Sequence, residues 1–332
     1  MADFLRGWRH SQELRLLAVI AAMGAVLAVV TPGFASAQNL MDMLTSSAFT
    51  GILAVGLLVV LIAGGVDISF AATASITQYV ALTLANQGML GWPGVVAVAI
   101  GLGGLLGVIN ALLVTTLGLS SIIVTIATQS LFYGLLMTFT NGQDIFALPD
   151  WFNAGLHWGI HVDAQGGEQA LNLQIVLLVV VGLLTSWLLT RTSIGRQVFA
   201  MGGNPEAARR IGFPVFRLNL LVYGFMGAVA GLASLVHAQL VQSVSPSALV
   251  GRELDVLAAV VLGGASLNGG IGSVSGTLLG VALLAVLQNG LTLLGVSSYW
   301  SQLCTGSVII AAVVMMAHQQ QQTIHRKKAA LT

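Results

Sequence analysis

From Leu16 to Thr190 the chain contains neither lysine nor arginine, and Arg191, Arg196, Arg209, Arg210 and Arg217 then arrive together. Soluble domains carry roughly a quarter of their residues as charges, whereas here 7% of residues are charged and 56% are hydrophobic. A basic-free stretch of Leu, Val, Ile, Ala and Gly suits a bilayer interior. A basic cluster between apolar segments is what the positive-inside rule places in the cytoplasm. The expected fold is an all-α polytopic membrane protein with one polar cytoplasmic loop over 191–217.

The remaining basic residues are Arg6, Arg9 and Arg15, then Arg326, Lys327 and Lys328, with Arg252 as the outlier. So few cations, divided among membrane-flanking segments, argue against nucleic-acid binding. The 40 glycines fit close helix–helix approach in lipid, where small residues form the contacts. The single Cys304 lies in an apolar run, so neither a disulfide framework nor a zinc site is expected. His237 and His318 stand alone without ligand spacing, and no metal or other cofactor is expected.

Arg6, Arg9 and Arg15 precede an apolar run over 16–30, and Ala35-Ser36-Ala37 offers a small-residue cleavage pattern. Many further spans follow, so this segment reads as an uncleaved first helix. Apolar runs of about 15–25 residues fall at 16–30, 47–64, 70–85, 93–117, 121–140, 171–190, 216–240, 254–267, 274–294 and 299–318. Starting inside, five crossings put 141–170 outside. That segment carries Asp144, Asp150, Asp163 and Glu168, no Lys or Arg, and Trp151 and Trp158 as interfacial anchors. A sixth crossing returns to the arginine cluster and four more leave 319–332 as a short cytoplasmic tail. About ten helices, with both termini cytoplasmic, bring every basic cluster to one side; nine or eleven would not.

Two spans run into glycine: Gly64-Gly65-Val66-Asp67-Ile68-Ser69 closes the second, and Asn268-Gly269-Gly270-Ile271-Gly272-Ser273 follows the eighth. Irregular backbone at membrane depth is tolerated only where protein or a water-filled cavity satisfies it, so interrupted helices in both halves point to a transport pathway. Val60-Leu61-Ile62-Ala63-Gly64-Gly65 echoes Val260-Val261-Leu262-Gly263-Gly264, which suggests an internal duplication.

Asp67 reads either as part of a substrate path or as the N-cap of the third helix; the cap reading is the simpler. In Asn204-Pro205-Glu206-Ala207-Ala208-Arg209-Arg210-Ile211-Gly212, Asn204 suits an N-cap and Pro205 the first helical position. Glu206 complements the positive end of the helix dipole, Arg209 and Arg210 the negative end, and Gly212 closes the helix. The flexible Gly202 and Gly203 precede it. Such a rigid cytoplasmic helix is expected to dock a soluble partner. Gln78, Asn110, Gln129, Gln239, Gln288 and Asn289 lie within spans, where amides hydrogen-bond between helices or face a polar path. Asp67, Ser69, Gln78, Asn110, Gln129, Gln288 and Asn289 are the path candidates. Glu253 and Asp255, beside Arg252, read as a local charge cluster or cap. No catalytic constellation is present. The only lysines follow Arg326 rather than a glycine-rich loop, so there is no Walker A element, and energy must come from an ion gradient or another subunit.

Gly64-Gly65-Val66-Asp67-Ile68-Ser69 resembles the Gly-Gly-Ile-Asp-Leu-Ser signature of the ribose/xylose/arabinose/galactoside permease family, the membrane subunits of bacterial ABC sugar importers. The stretch Ser193-Ile194-Gly195-Arg196-Gln197-Val198-Phe199-Ala200-Met201-Gly202-Gly203-Asn204-Pro205-Glu206-Ala207-Ala208-Arg209 is similar to that family's coupling segment. Residues 253–264, Gly269-Gly270-Ile271-Gly272-Ser273 and Gln288-Asn289-Gly290-Leu291 resemble its carboxy-terminal signatures. Val66, Ile68 and Thr125-Ile126-Ala127-Thr128 depart mildly from the pattern, and the last leaves sugar identity open.

The resemblance implies a single permease domain over 1–332 in the bacterial inner membrane, importing a pentose or hexose by alternating access. It implies a second permease copy or paralogue, an ATP-binding cassette subunit and a periplasmic sugar-binding protein as partners. ATP hydrolysis would sit on the partner chain, reached through Gly202, Gly203, Asn204, Pro205, Glu206, Ala207, Ala208 and Arg209. The same-class alternative is a branched-chain amino acid permease. The different-class alternative is a proton- or sodium-coupled transporter, against which stands the lack of an evident mid-membrane acid. A membrane-embedded enzyme is the remaining reading.

Overall fold

The computed structural model describes residues 2–162, 168–297, 299–308 and 310. The chain runs through α1 (Ala2–Val30), α2 (Ala37–Ile62), α3 (Phe70–Asn86), α4 (Trp92–Leu117), α5 (Ser121–Thr140) and α6 (Asp150–Asn153). A hairpin β1 (His157–Val162) and β2 (Glu168–Asn172) leads to α7 (Leu173–Arg191), α8 (Ser193–Gly203) and α9 (Pro205–Arg210). Then come α10 (Val215–Val241), α11 (Arg252–Leu262) and α12 (Val274–Leu293), and a helical segment covers 299–308. The expected tail at 319–332 with Arg326, Lys327 and Lys328, most of the second half of the tenth expected span, Asp163 and His318 lie outside the described residues.

The expected helical architecture holds, with one addition: the antiparallel pair β1–β2 in the acidic segment between α5 and α7. Beside it, Trp151 is no lone anchor. It meets Trp92 at 5.5 Å edge-on and Phe152 at 6.0 Å, and Trp92 stacks on Phe152 at 5.1 Å.

Seven of the described helices are long and apolar enough to cross a membrane: the Gln12–Val30 part of α1, and α2, α4, α5, α7, α10 and α12. α3 has 17 residues and α11 only 11. At about 1.5 Å per residue, α11 spans roughly 16 Å of a hydrocarbon core about 30 Å thick. Two boundaries differ from expectation for local reasons. α2 begins well before residue 47 because Ser36 caps it, its hydroxyl accepting from the Asn39 amide. Gln38, Asn39 and Asp42 hide that first part from a hydropathy reading. α11 stops at Leu262 rather than running to 267, because Gly264 turns left-handed at φ +94°.

α2 sits at the centre. Every residue from Gly51 to Ile62 is buried, as expected of a helix apolar all round, and α7, α8, α10, α11 and α12 pack about it. α4 and α10 make the closest helix pair. Gly103 and Gly107 face Gly227, Gly231 and the Tyr223 carbonyl so tightly that a Cβ at any of these glycines would collide with facing backbone. This is the small-residue spacing that lets membrane helices approach without a hydrophobic driving force.

Candidate functional site

The two glycine-interrupted helices end in the same backbone device. At the end of α2, the Gly64 amide donates to the Leu61 carbonyl at 2.9 Å and the Gly65 amide to Val60 at 3.1 Å. At the end of α11, the Gly264 amide donates to Val261 at 2.9 Å and the Ala265 amide to Val260 at 3.2 Å. Each is a Schellman closure, which needs a left-handed residue at its turn, and Gly64 and Gly264 supply it at φ +86° and +94°. The internal echo read from the sequence therefore recurs in backbone geometry.

The two breaks also touch. The Gly270 amide, in the loop after α11, donates to the Ile62 carbonyl at the end of α2 at 2.9 Å. Into this junction fits the last turn of α8. Gly202 is buried, and a Cβ there would collide with the Ile62 carbonyl and come 2.8 Å from the Gly270 amide. The expectation that Gly202 and Gly203 form a flexible connector is corrected: both belong to α8, and Gly202 is wedged between the helix breaks. α8 itself starts on Thr192, whose hydroxyl accepts from the Gly195 amide at 3.1 Å.

α9 is built as its sequence dictates. The Asn204 side chain accepts from the Ala207 amide at 3.0 Å, Pro205 sits in the first turn, and Gly212 closes the C-terminal end at φ +88°. Glu206 and Arg210 pair at 3.6 Å, both 82% exposed; an exposed i,i+4 pair of this kind adds little stability. Apart from the buried Ala208, α9 presents its surface to solvent.

Asp67 is not the N-cap residue of α3. Ser69 holds that position, and its own side chain makes no capping bond. Asp67 instead accepts from the Ser69 amide at 2.8 Å and the Ser69 hydroxyl at 2.7 Å, a turn closed two residues on. The Ser69 hydroxyl in turn accepts from the Asn110 side-chain amide of α4 at 2.6 Å. The preceding Val66 donates its amide to the Ser121 hydroxyl at 2.9 Å, and its carbonyl accepts from Thr125 at 3.2 Å. Three path candidates, Asp67, Ser69 and Asn110, thus form one polar node between α2, α3 and α4.

The other path candidates separate. Gln78 is buried on α3 with its side-chain nitrogen unpartnered. Gln129 of α5 donates to Glu253 of α11, 124 residues away in sequence. Glu253 is buried; it keeps the local role expected of it, with backbone bonds at Gly251 and Glu253 in the first turn of α11 and the charge of Asp255 beside it, and it also joins α11 to α5. Asn289 exchanges two hydrogen bonds with Asn39, at 3.0 and 2.9 Å, tying α12 to the start of α2. Gln288 faces a cavity described below.

Sequence reading missed Asn39, because it lay outside the apolar run taken for the helix. It also missed Glu13 of α1, which accepts from the Ser273 and Ser275 hydroxyls at 2.8 and 2.6 Å and so fastens α1 to the start of α12. Among the described residues no three His, Cys, Asp or Glu side chains stand together to hold a metal ion.

Interhelical side-chain hydrogen bonds in membrane proteins average about 0.6 kcal/mol in double-mutant cycles. The Asn39–Asn289 pair is expected to show a coupling energy of that order when Asn39→Ala, Asn289→Ala and the double variant are compared by unfolding in detergent. Strict additivity would mean that the pair contributes nothing.

The chain compares with known proteins over nearly its whole length. A family model described as the permease component of branched-chain amino acid transport systems matches residues 39–313. The ribose import permease protein RbsC of Escherichia coli strain K12 is 32% identical, covering 92% of this chain and 94% of that protein. The L-arabinose ABC transporter permease protein AraH of Azospirillum brasilense is 31% identical over 91% of this chain and 87% of its own. The xylose transport system permease protein XylH of Escherichia coli strain K12 is 32% identical over 90% and 91%. No solved structure matches the chain. With long apolar helices around a buried central one and a family match across most of its length, the chain is a multi-pass membrane protein that belongs to the family of the branched-chain amino acid transport system permease component.

Proposed function

We propose that this chain is the membrane-spanning subunit of an ATP-driven importer that carries a pentose- or hexose-class sugar across the bacterial cytoplasmic membrane by alternating access. The observation that carries the reading is the similarity, over about nine-tenths of the chain, to three permeases named for ribose, arabinose and xylose. Those names favour sugar over the branched-chain amino acids of the family description. Transport is the chain's own part; ATP hydrolysis belongs to a cassette partner, and sugar arrives from a periplasmic binding protein. A second permease copy or paralogue completes the membrane unit.

In this reading residues 1–332 form one permease domain crossing the bilayer ten times with both termini inside. The seven long helices, the shorter α3 and α11, and a tenth span beginning at residue 299 make that number, and the arginines at 191–217 mark the cytoplasmic side. The coupling segment inside 191–217 is Gly202, Gly203, Asn204, Pro205, Glu206, Ala207, Ala208 and Arg209. α9 meets the cassette, and α8 passes its displacement through Gly202 to both helix breaks at once. The path is drawn from Asp67, Ser69, Gln78, Asn110, Gln129, Gln288 and Asn289, with the Asp67 node at its cytoplasmic end. ATP on the partner supplies the differential binding that drives the cycle, since a ligand shifts conformations only by its unequal affinity for them.

Replacing Glu206 by Arg together with Ala207 by Trp tests the coupling. Both side chains are exposed in this subunit, so the variant is expected to insert and purify normally while sugar uptake falls to background and the ATPase subunit no longer co-purifies. Wild-type uptake by this variant would remove α9 from the coupling contact.

A further inference from the structure

The end of the bundle away from α8 and α9 holds a cavity of about 370 Å³ between α2, α10, α11 and α12. On α2 its wall reaches Thr50, twelve residues before the Ile62 carbonyl that meets Gly202, or about 18 Å along the helix at ~1.5 Å per residue. Its volume falls within the ~300–1,000 Å³ of ordinary small-molecule sites.

Resting on the reading of the chain as a sugar permease, we propose that this cavity is a sugar-binding subsite within each permease copy, holding one sugar ring during passage. A sugar ring presents hydroxyls that both donate and accept, and a C–H face that is nearly apolar. The cavity matches both. Arg252 donates only, Asp255 accepts only, the Gln288 side chain does both, and the Thr292 hydroxyl, whose hydrogen is given to the Gln288 carbonyl at 2.8 Å, can accept. Arg252 and Asp255 face the same space and feel each other's charge without closing into a salt bridge. With no hydrogen bond between them, both can reach a third group that enters the cavity. Phe49 and His237, ring centroids 5.1 Å apart and tilted by 53°, form the wall against which a C–H face packs.

His237 is only 8% exposed, and its Nδ1 has no hydrogen-bond partner. A buried polar atom left in that state is one that structures ordinarily satisfy. With one positive and one negative side chain, the cavity offers no net charge to attract an ion. A zwitterionic amino acid would match the two charges and could rest its alkyl group on Leu240, Val241, Val281, Leu284 and Ala285; sugar is preferred because the reading of the chain as a sugar permease favours it, and leucine is therefore included in the test.

The test uses cells expressing the complete importer, with labelled ribose, arabinose, xylose and leucine supplied at saturating concentration, so that delivery by the binding protein is not limiting. Asp255→Asn and Gln288→Ala are each expected to lower uptake of the preferred sugar at least ten-fold and to change the ratio among the three sugars. ATP hydrolysis should continue. Leu254→Ala, on the exposed face of the same helix, should leave rate and ratio unchanged. Should Asp255→Asn not accumulate in the membrane, Gln288→Ala on a different helix decides alone. Wild-type rate and sugar ratio in the accumulating variants would overturn the subsite while leaving the sugar-permease reading standing. Uptake of leucine and of no sugar by the wild-type importer would overturn both.

Discussion

Gly202→Leu is expected to eliminate monodisperse protein in detergent, while Gly203→Ala, one residue on, is expected to be recovered at wild-type yield. At Gly202 a Cβ would collide with the Ile62 carbonyl and press on the Gly270 amide and the Ile62 carbonyl carbon; at Gly203 nothing lies within 4 Å. The obstacles at Gly202 are backbone, so no rotamer change relieves them. Overpacking a well-packed site typically costs 1–3 kcal/mol and sometimes more, against a total stability of about 5–15 kcal/mol. Here the intruding group would also break the hydrogen bond between the two helix breaks. Gly202→Ala should fold with a lowered melting temperature, which size-exclusion chromatography and thermal unfolding would register. Equal behaviour of Gly202→Leu and Gly203→Ala would mean that α8 does not seat on the helix breaks.

Reconstituted alone in vesicles, the chain is expected to show no ATP hydrolysis and no accumulation of ribose, arabinose or xylose under an imposed proton or sodium gradient. Adding its cassette and its sugar-loaded binding protein should bring hydrolysis and uphill uptake together, from background to turnover. Two buried acids make this a sharp test. Asp67 is locked by Ser69, and Glu253 accepts from Gln129. Each has a structural partner that accounts for its presence, although intramembrane acids ordinarily mark ion pathways. Gradient-driven accumulation by the isolated chain would assign one of them to ion coupling and remove the ATP-driven reading. Glu253→Gln and Asp67→Asn would then identify which, by abolishing the gradient dependence.

The membrane class and the ends of the short cytoplasmic helix α9 were legible in the sequence. Hydropathy and the absence of basic residues report transfer from water to lipid, which each segment pays largely by itself. α9 was readable for the same reason: Asn204 bonds to Ala207 three residues on, and Gly212 closes the turn behind it. The glycine pair at 64–65 was legible as a break, because a left-handed closure is a local event; the second break was expected at 268–273 and falls at 263–264, inside the run taken for the eighth span.

What only the tertiary structure decided are the partners across the chain. Glu253 was legible as a local cap, and it has backbone bonds at Gly251 and Glu253, but its partner Gln129, 124 residues away, was not. Asn39 and Asn289 meet across 250 residues, and Glu13 reaches Ser273 across 260. Gly202 looked like a hinge because glycine is permissive alone; against the Ile62 carbonyl it is a packing requirement. A local pattern is written in the free energy of one segment, so one segment suffices to read it. Which amide in one helix faces which acid in another depends on how α2, α10 and α12 rotate and approach. That choice is made by the shape of all the helices together, when the apolar faces and glycine grooves find their single close-packed arrangement.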